Sequence, residues 1–571
     1  MKSMKKIITF ILALTILQVV SGQDYFSQQF VGSGGGQTDN ATYHTSWSIG
    51  EAVTESGTAG SVLLTGGFQQ GEMTGQLVWT GSISSDWNTA ANWNLNLVPN
   101  ETFNVTIPDG SIPNDPIVYE DPATPATCLN LDIQPERTLT IFDGDALTVN
   151  GNLVNNGGSY SLYIGDGASL LAEGTITGQA TVDAGIAANE WHLISSPVNN
   201  AVSGLFTGDY LQEFTELTDA YSDIIPDNIP LNPMDGYALW GGTGGFEAVF
   251  AGTLNHGLVG TDDNCSRTNQ GWNLVGNPYP SSIDWDAASG WTKTNLNNAI
   301  YIHVNSTTWA TYVDGVGVNG GSQNIAPCQG FFVRASAPGN ATLKMENDVR
   351  VHSSAPFFKD AVSDLVRLEL SGNNVSDEVV VRILPSATIG FDGNHDAYKM
   401  FSAESYAPQI YSEGGDLLAI NAIPEAKPVV VGVRTGLSGS YTISAKEINN
   451  FSELWLEDTR TKTITDLTQG SYKFSFVAGE VENRFVLHFS PVPPPSDNES
   501  EKQVYSYGNS VYVNIDTEEE SDIFVFDILG RVIKHEQAVK GINRLDLSGE
   551  GIYLVRVSSP NHTVTEKVKI D

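Results

Sequence analysis

The sequence predicts an all-β protein, with several β-sandwich or short β-solenoid domains in series and an Ig-like β-sandwich at its end. Three observations carry that expectation. Apolar residues alternate with polar ones at the strand period, as in Phe103, Val105 and Ile107 and again in Val511, Val513 and Ile515. Apolar pieces of only a few residues follow one another closely between Leu129 and Ile176, many of them separated by Asn or Gly. Finally, 571 residues, of which 40% are hydrophobic, exceed one core and can fill several.

Taken in order, residues 1–22 combine a basic start (Lys2, Lys5, Lys6) with the apolar run Ile7–Val20 and the small pair Ser21-Gly22. That is the pattern of a secretory signal peptide. Residues 23–76 form a Gly/Ser/Thr-rich leader with strand-like pieces, read as a paired edge hairpin or a spacer. Residues 77–187 hold the closely spaced pieces, among them Leu129–Ile133, Leu139–Ile141, Leu147–Gly151 and Leu162–Ile164. This rhythm suits a short β-solenoid whose rungs stack on one another, with a sandwich as the competing arrangement.

Residues 188–355 contain an internal echo. Trp191-His192-Leu193-Ile194-Ser195-Ser196-Pro197-Val198 returns as Trp272-Asn273-Leu274-Val275-Gly276-Asn277-Pro278-Tyr279. A Gly-aromatic strand follows each copy, Gly236–Trp240 and Gly330–Arg334, which predicts a pseudo-symmetric β domain. Residues 360–490 read as a further β-sandwich, in which Val366, Leu368 and Leu370 alternate with Leu365, Arg367 and Glu369. A Pro-rich, acidic linker at 491–503 then leads to a last β-sandwich at 504–571.

The formal charge of −38 arises from scarce Lys and Arg, since charged residues make up only 16% of the chain. Such a surface repels phosphate backbones and anionic lipids, so neither nucleic acid nor a membrane surface is expected as a partner. After the signal segment no apolar run approaches the ~18 residues of a span, so no transmembrane segment is expected. The three cysteines are not a disulfide framework; Cys265 and Cys328 are a candidate pair, which would leave Cys128 free.

Motifs with strong chemical meaning are missing: there is no HExxH, no GxSxG and no GxxxxGK[ST]. Gly315–Gly320 matches GxGxxG, but Ser322–Pro327 after it has no helical period, so a β-turn is expected instead of a dinucleotide site. Asp392, Asn394 and Asp396 place oxygen ligands at alternate positions and are candidates for a structural Ca²⁺; an Asx-stabilised turn is the alternative. Trp79, Trp87 and Trp93 in an Asn-rich stretch are candidates for stacking on glycans, or else core anchors. No catalytic residue is assigned, and a catalytic role is not expected.

The last segment supplies the one specific resemblance. Asp527-Ile528-Leu529-Gly530-Arg531, Gly551-Ile552-Tyr553-Leu554-Val555-Arg556-Val557 and Lys567-Val568-Lys569-Ile570 resemble the type A C-terminal sorting domain of the type IX secretion system of Bacteroidetes. By that resemblance, Asp527, Leu529, Gly530, Arg531, Gly551, Tyr553 and Lys567 are the motif positions. The resemblance implies partnership with the type IX machinery and a secreted or outer-membrane-attached, cell-surface location. Surface glycolipid, glycans or other surface proteins are the further partners it suggests. For the other domains, adhesion, a surface matrix role or ligand binding is expected, and carbohydrate binding or degradation is the alternative.

Overall fold

The computed structural model describes residues 75–225, 227–353, 362–480, 482–491, 504–507, 509–515, 521–559 and 563–570. It also describes the backbone of two antiparallel hairpins in the leader, Gly35–Asp39 with His44–Ser48 and Ser56–Ala59 with Val62–Thr65. The signal peptide expected at 1–22 and linker residues 492–503 lie outside the described residues. The described chain is all-β, its only helical pieces being single 3-10 turns such as Ala90–Asn92. It divides into two compact units, residues 1–457 with 465–489, and residues 458–464 with 490–571.

Residues from Gln76 onward form a three-sided parallel β-solenoid, one of the two arrangements, solenoid or sandwich, that the short pieces left open. One side runs Gln76–Val78, Asn104–Ile107, Leu131–Ile133, Leu153–Asn155 and Ile176–Thr177, all in parallel register. A second side stacks Ile117–Val118, Leu139–Ile141, Leu162–Ile164 and Ala180–Ile186. The third stacks Ala126–Cys128, Ala146–Val149 and Ser169–Ala172. Like residues lie over like, so Leu139 sits on Leu162 and Ile141 on Ile164, and all four are essentially unexposed. Burying both neighbours of each rung is what makes such short strands stable.

Asparagines knit the corners. Asn130 Nδ2 donates to Asn104 Oδ1 at 2.6 Å, the Asn152 N–H to Asn130 Oδ1 at 2.7 Å, and the Thr175 N–H to Asn152 Oδ1 at 2.9 Å. A side chain at Gly151 would meet Asn130 Oδ1 at 2.3 Å, so the Asn ladder requires that glycine. Both ends of the solenoid are covered, as stacked rungs demand. At the start sit Trp79, Trp87 and Trp93; at the far end Phe246–Leu254 pairs antiparallel with Ala180–Ile186. That strand comes from beyond residue 188, so the expected boundary at 187–188 is bridged by a shared sheet.

The internal echo is realised as two equivalent strand pairs. Trp191–Ile194 pairs with Tyr237–Trp240, and Trp272–Gly276 pairs with Gly330–Arg334. The copies grip each other reciprocally. The Ser195 N–H donates to Cys328 O and the Gly276 N–H to Met234 O, each at 2.8 Å. Met234 and Cys328, each two residues ahead of its strand glycine, both take left-handed backbone, with φ of 72° and 58°. Gly236 abuts the Val275 carbonyl of the other copy, and Gly330 abuts Ile194.

The strands from Leu365 to His488 form an eleven-stranded sheet in which Val375–Ile383 runs parallel to Leu417–Ile423. Strands from different parts of this sheet bury one common core, including Val366, Leu368, Val379, Val431, Tyr441, Phe474 and Phe485, so the sheet folds over itself. A further buried cluster joins this body to the echo domain. Tyr301, Val313, Val316 and Phe332 pack with Leu365, Val380, Ala419 and Ile420. The second unit is a sandwich of a three-stranded sheet, centred on Ser510–Ile515, and a four-stranded sheet centred on Ser521–Phe526 and Gly551–Ser558. Val511, Val513, Ile523, Val525, Leu545, Val555 and Val557 fill it.

Candidate functional site

The tryptophans expected as glycan-stacking candidates are core residues. Trp79, Trp87 and Trp93 are 1%, 1% and 2% exposed and pack edge to face, with ring centroids 4.9 Å and 4.8 Å apart. Trp93 Nε1 donates to Trp87 O at 2.8 Å and Trp79 Nε1 to Asn114 O at 2.7 Å. The rings plug the open end of the solenoid and offer no face to a sugar.

The candidate disulfide is also corrected. Cys265 and Cys328 are both free and buried, as is Cys128. Cys265 belongs to the core of the echo domain, whereas Cys328 packs into the cluster continuous with the solenoid. Burial pushes the Cys265 and Cys128 thiols up to about 12 and that of Cys328 higher still, so none is a ready thiolate. Cys328 instead makes the left-handed corner that Met234 makes in the first copy.

Asp392, Asn394 and Asp396 close a turn on themselves. Asp396 Oδ2 accepts the Asp392 N–H and Oδ1 accepts the Ala422 N–H, both at 2.7 Å, and Asp392 Oδ1 accepts the Asn394 N–H at 3.1 Å. This is the Asx-turn geometry. Burial raises the Asp396 carboxyl to about 6 against the pull of those two backbone donors. Among the described residues, no group of three or more His, Cys, Asp or Glu side chains is placed to hold a metal ion. Gly315–Gly320, expected as a β-turn, is instead the short strand Val316–Val318 flanked by turns at Asp314-Gly315 and Asn319-Gly320.

Other polar groups brace the joints between bodies. Arg350, almost fully buried, donates to Leu170 O at 2.5 Å and to Ser281 Oγ at 3.1 Å, while the Leu170 N–H donates to Pro280 O at 2.8 Å. His352 lies between two hydroxyls, Thr148 Oγ1 at 2.9 Å and Ser169 Oγ at 2.7 Å. Burial first, and then the Arg350 charge, lower its pKa from 6.5 to about 4, so it is neutral in the native protein. Glu216 anchors a loop by accepting the N–H groups of Thr268, Asn269 and Gly271 at 2.9, 2.8 and 2.8 Å. Burial alone would raise its carboxyl, but these donors hold it below the usual range.

The recess that sequence reasoning missed lies where the echo domain meets the folded-over sheet. It is an open groove of about 380 Å³, lined by Asn305, Thr307, Asn319, Asn374, Ser376 and Glu378 among others. Two facing turns build it. Asn373 and Asn374, with φ of 54° and 61°, turn the chain between Leu365–Gly372 and Val375–Ile383. Opposite, Asn305 Oδ1 accepts the Thr307 N–H and hydroxyl at 2.9 and 2.8 Å. Asn319 ties the two sides together: its N–H donates to Glu378 Oε2 at 2.8 Å and its Oδ1 accepts the Glu378 N–H at 3.0 Å. Apart from Val375 and Gly320 the lining is amides, hydroxyls and one carboxylate, a surface for hydrogen-bonding a polar ligand.

In the C-terminal sandwich the motif residues close turns. Asp527 Oδ1 accepts the N–H groups of Leu529 and Arg531 at 2.9 and 3.0 Å, and Oδ2 accepts Arg531 Nε at 2.6 Å. Gly530, at φ 79°, completes that turn, and Leu529 projects from it 75% exposed. Tyr553 donates its hydroxyl to Gly549 O at 2.8 Å, Gly551 begins its strand at φ 150°, and Lys567 lies opposite Leu554 on the outer strand. Among the described residues no helix is long and apolar enough to cross a membrane.

Comparison with known families divides the chain at the same place. Residues 78–489 match the model of a domain of unknown function, DUF8693, and residues 508–571 match that of the secretion system C-terminal sorting domain. No curated protein matches the sequence.

Proposed function

The chain belongs to the DUF8693 family and ends in a type IX C-terminal sorting domain, and from that premise we propose that it is a non-catalytic surface protein whose β bodies serve adhesion or a surface matrix. The sorting domain indicates export by type IX secretion to the cell surface or the medium and interaction with that machinery. The observation that carries the remainder of the reading is the fusion of the bodies in residues 75–489. The shared strand Phe246–Leu254, the Arg350 and His352 contacts and the cluster around Tyr301 and Ile420 join them without a break. Such continuity suits a display body that holds its shape, whereas a hinged enzyme needs weakly joined parts.

A second reading, recognition of a glycan, is supported by the polar groove beside Asn374 and Ser376. Both readings are tested by applying the exported protein to a glycan array and to a panel of soluble polysaccharides and peptides. Binding without release of product supports a non-catalytic role, and Ser376→Arg, which fills the groove, is expected to abolish glycan capture. Hydrolysis of any panel member by the purified protein would overturn the proposal.

A further inference from the structure

Beneath that groove lies a buried lysine–aspartate pair. Asp377 stands on Val375–Ile383, and Lys399 follows the short strand Ala397–Tyr398, its N–H donating to Leu417 O at 2.8 Å. Lys399 Nζ contacts Asp377 Oδ2, and the two side chains are only 2% and 4% exposed. Ion pairs such as Arg382–Asp314, with its carboxylate 43% exposed, and Lys446–Glu369, with its amine 49% exposed, keep one partner in water, and even the inner pair Arg484–Glu480 leaves its carboxylate 15% exposed. The Asp377 carboxylate is also held from both sides. Its Oδ1 accepts Asn319 Nδ2 at 2.9 Å, and its Oδ2 accepts the Ile410 N–H at 2.7 Å.

We propose that Lys399 and Asp377 condense to an intramolecular isopeptide bond between Nζ and Cγ. Desolvation makes a buried ion pair costly, and passing one proton from the ammonium to Oδ2 turns it into a neutral amine touching a neutral acid. The amine then attacks Cγ. Negative charge develops on Oδ1, where the Asn319 amide N–H is already directed. A second amine proton moves to the Oδ2 hydroxyl, the Cγ–Oδ2 bond breaks and water leaves. Ammonium and carboxylate thus become amide and water, with no oxidant, metal or cofactor required. Fixed contact in a dry site supplies the high effective concentration that the same reaction lacks in solution. Arginine could not take this role, because its guanidinium holds its proton.

Mass spectrometry of the full-length exported protein tests this. The wild-type chain is expected to be lighter by one water than the mass calculated for its own processed termini, which the same digest defines. Its tryptic digest is expected to contain peptide 368–382 joined to the peptide beginning at 383, with no cleavage after Lys399. Lys399→Arg keeps a buried cation but no amine that can be acylated, and is expected at full mass with its peptides linear. A wild-type protein of full mass that yields a linear 383–399 peptide overturns the proposal, and so does a lost water mapped to any other residue. The wild-type measurement decides the matter even if the variant does not fold.

Discussion

At the residue scale, the two copies of the echo meet at positions that cannot both carry a side chain. Ser195 and Gly276 are equivalent in the two copies, and a Cβ on Gly276 would lie 2.1 Å from Ser195 Cβ. Gly276→Ala is therefore expected to destabilise the first unit by roughly 1–3 kcal/mol, the ordinary cost of overpacking, read as a lower denaturation midpoint. His352 makes a pH prediction. Its native pKa of about 4 lies below the ordinary 6.5, so between these values the unfolded chain binds a proton that the native chain refuses. Its contribution is complete above pH 6.5 and is lost as pH falls toward 4. Denaturation midpoints measured across this window should fall with pH in the wild type and fall less steeply in His352→Gln.

At the scale of the element, the solenoid depends on corner amides as much as on its apolar stacks. Asn155 is buried, donates to Gly158 O at 2.8 Å and Gln179 O at 2.6 Å, and accepts the Gly157 N–H at 3.0 Å. Asn155→Ala leaves all three backbone groups without this partner, which is expected to cost about 1–3 kcal/mol. Amide exchange should then speed up first at the rungs around 155–179. The same rule explains why Asn and Gly punctuate this stretch: the amide reaches the next rung and the glycine makes space for it. The tryptophans obey the opposite logic. A terminal rung has no neighbour, and three large rings supply the missing surface.

At the scale of the whole molecule, the division of labour follows the two matched segments. The sorting domain sends the chain out, and residues 78–489 are what it delivers. Deleting residues 504–571 is expected to strand the remainder in the periplasm, as cell fractionation would show. Normal surface display of the shortened chain would contradict that. The acidic surface, −38 overall, fits a product kept soluble after export.

The sequence by itself determined the strand character, the solenoid rhythm, the echo at Trp191 and Trp272 and the sorting motif. Each of these is written in short-range spacing, because strand period, rung stacking and turn chemistry act between near neighbours. Only the tertiary structure decided which candidate groups are free to act. Trp79, Trp87 and Trp93 stood open between a sugar platform and core anchors until their burial was known, and Cys265 and Cys328 were a candidate pair until they fell into separate cores. The groove and the Lys399–Asp377–Asn319 contact had no local signal. They bring together residues from 305 to 399 across two β bodies, and that proximity is set by packing alone.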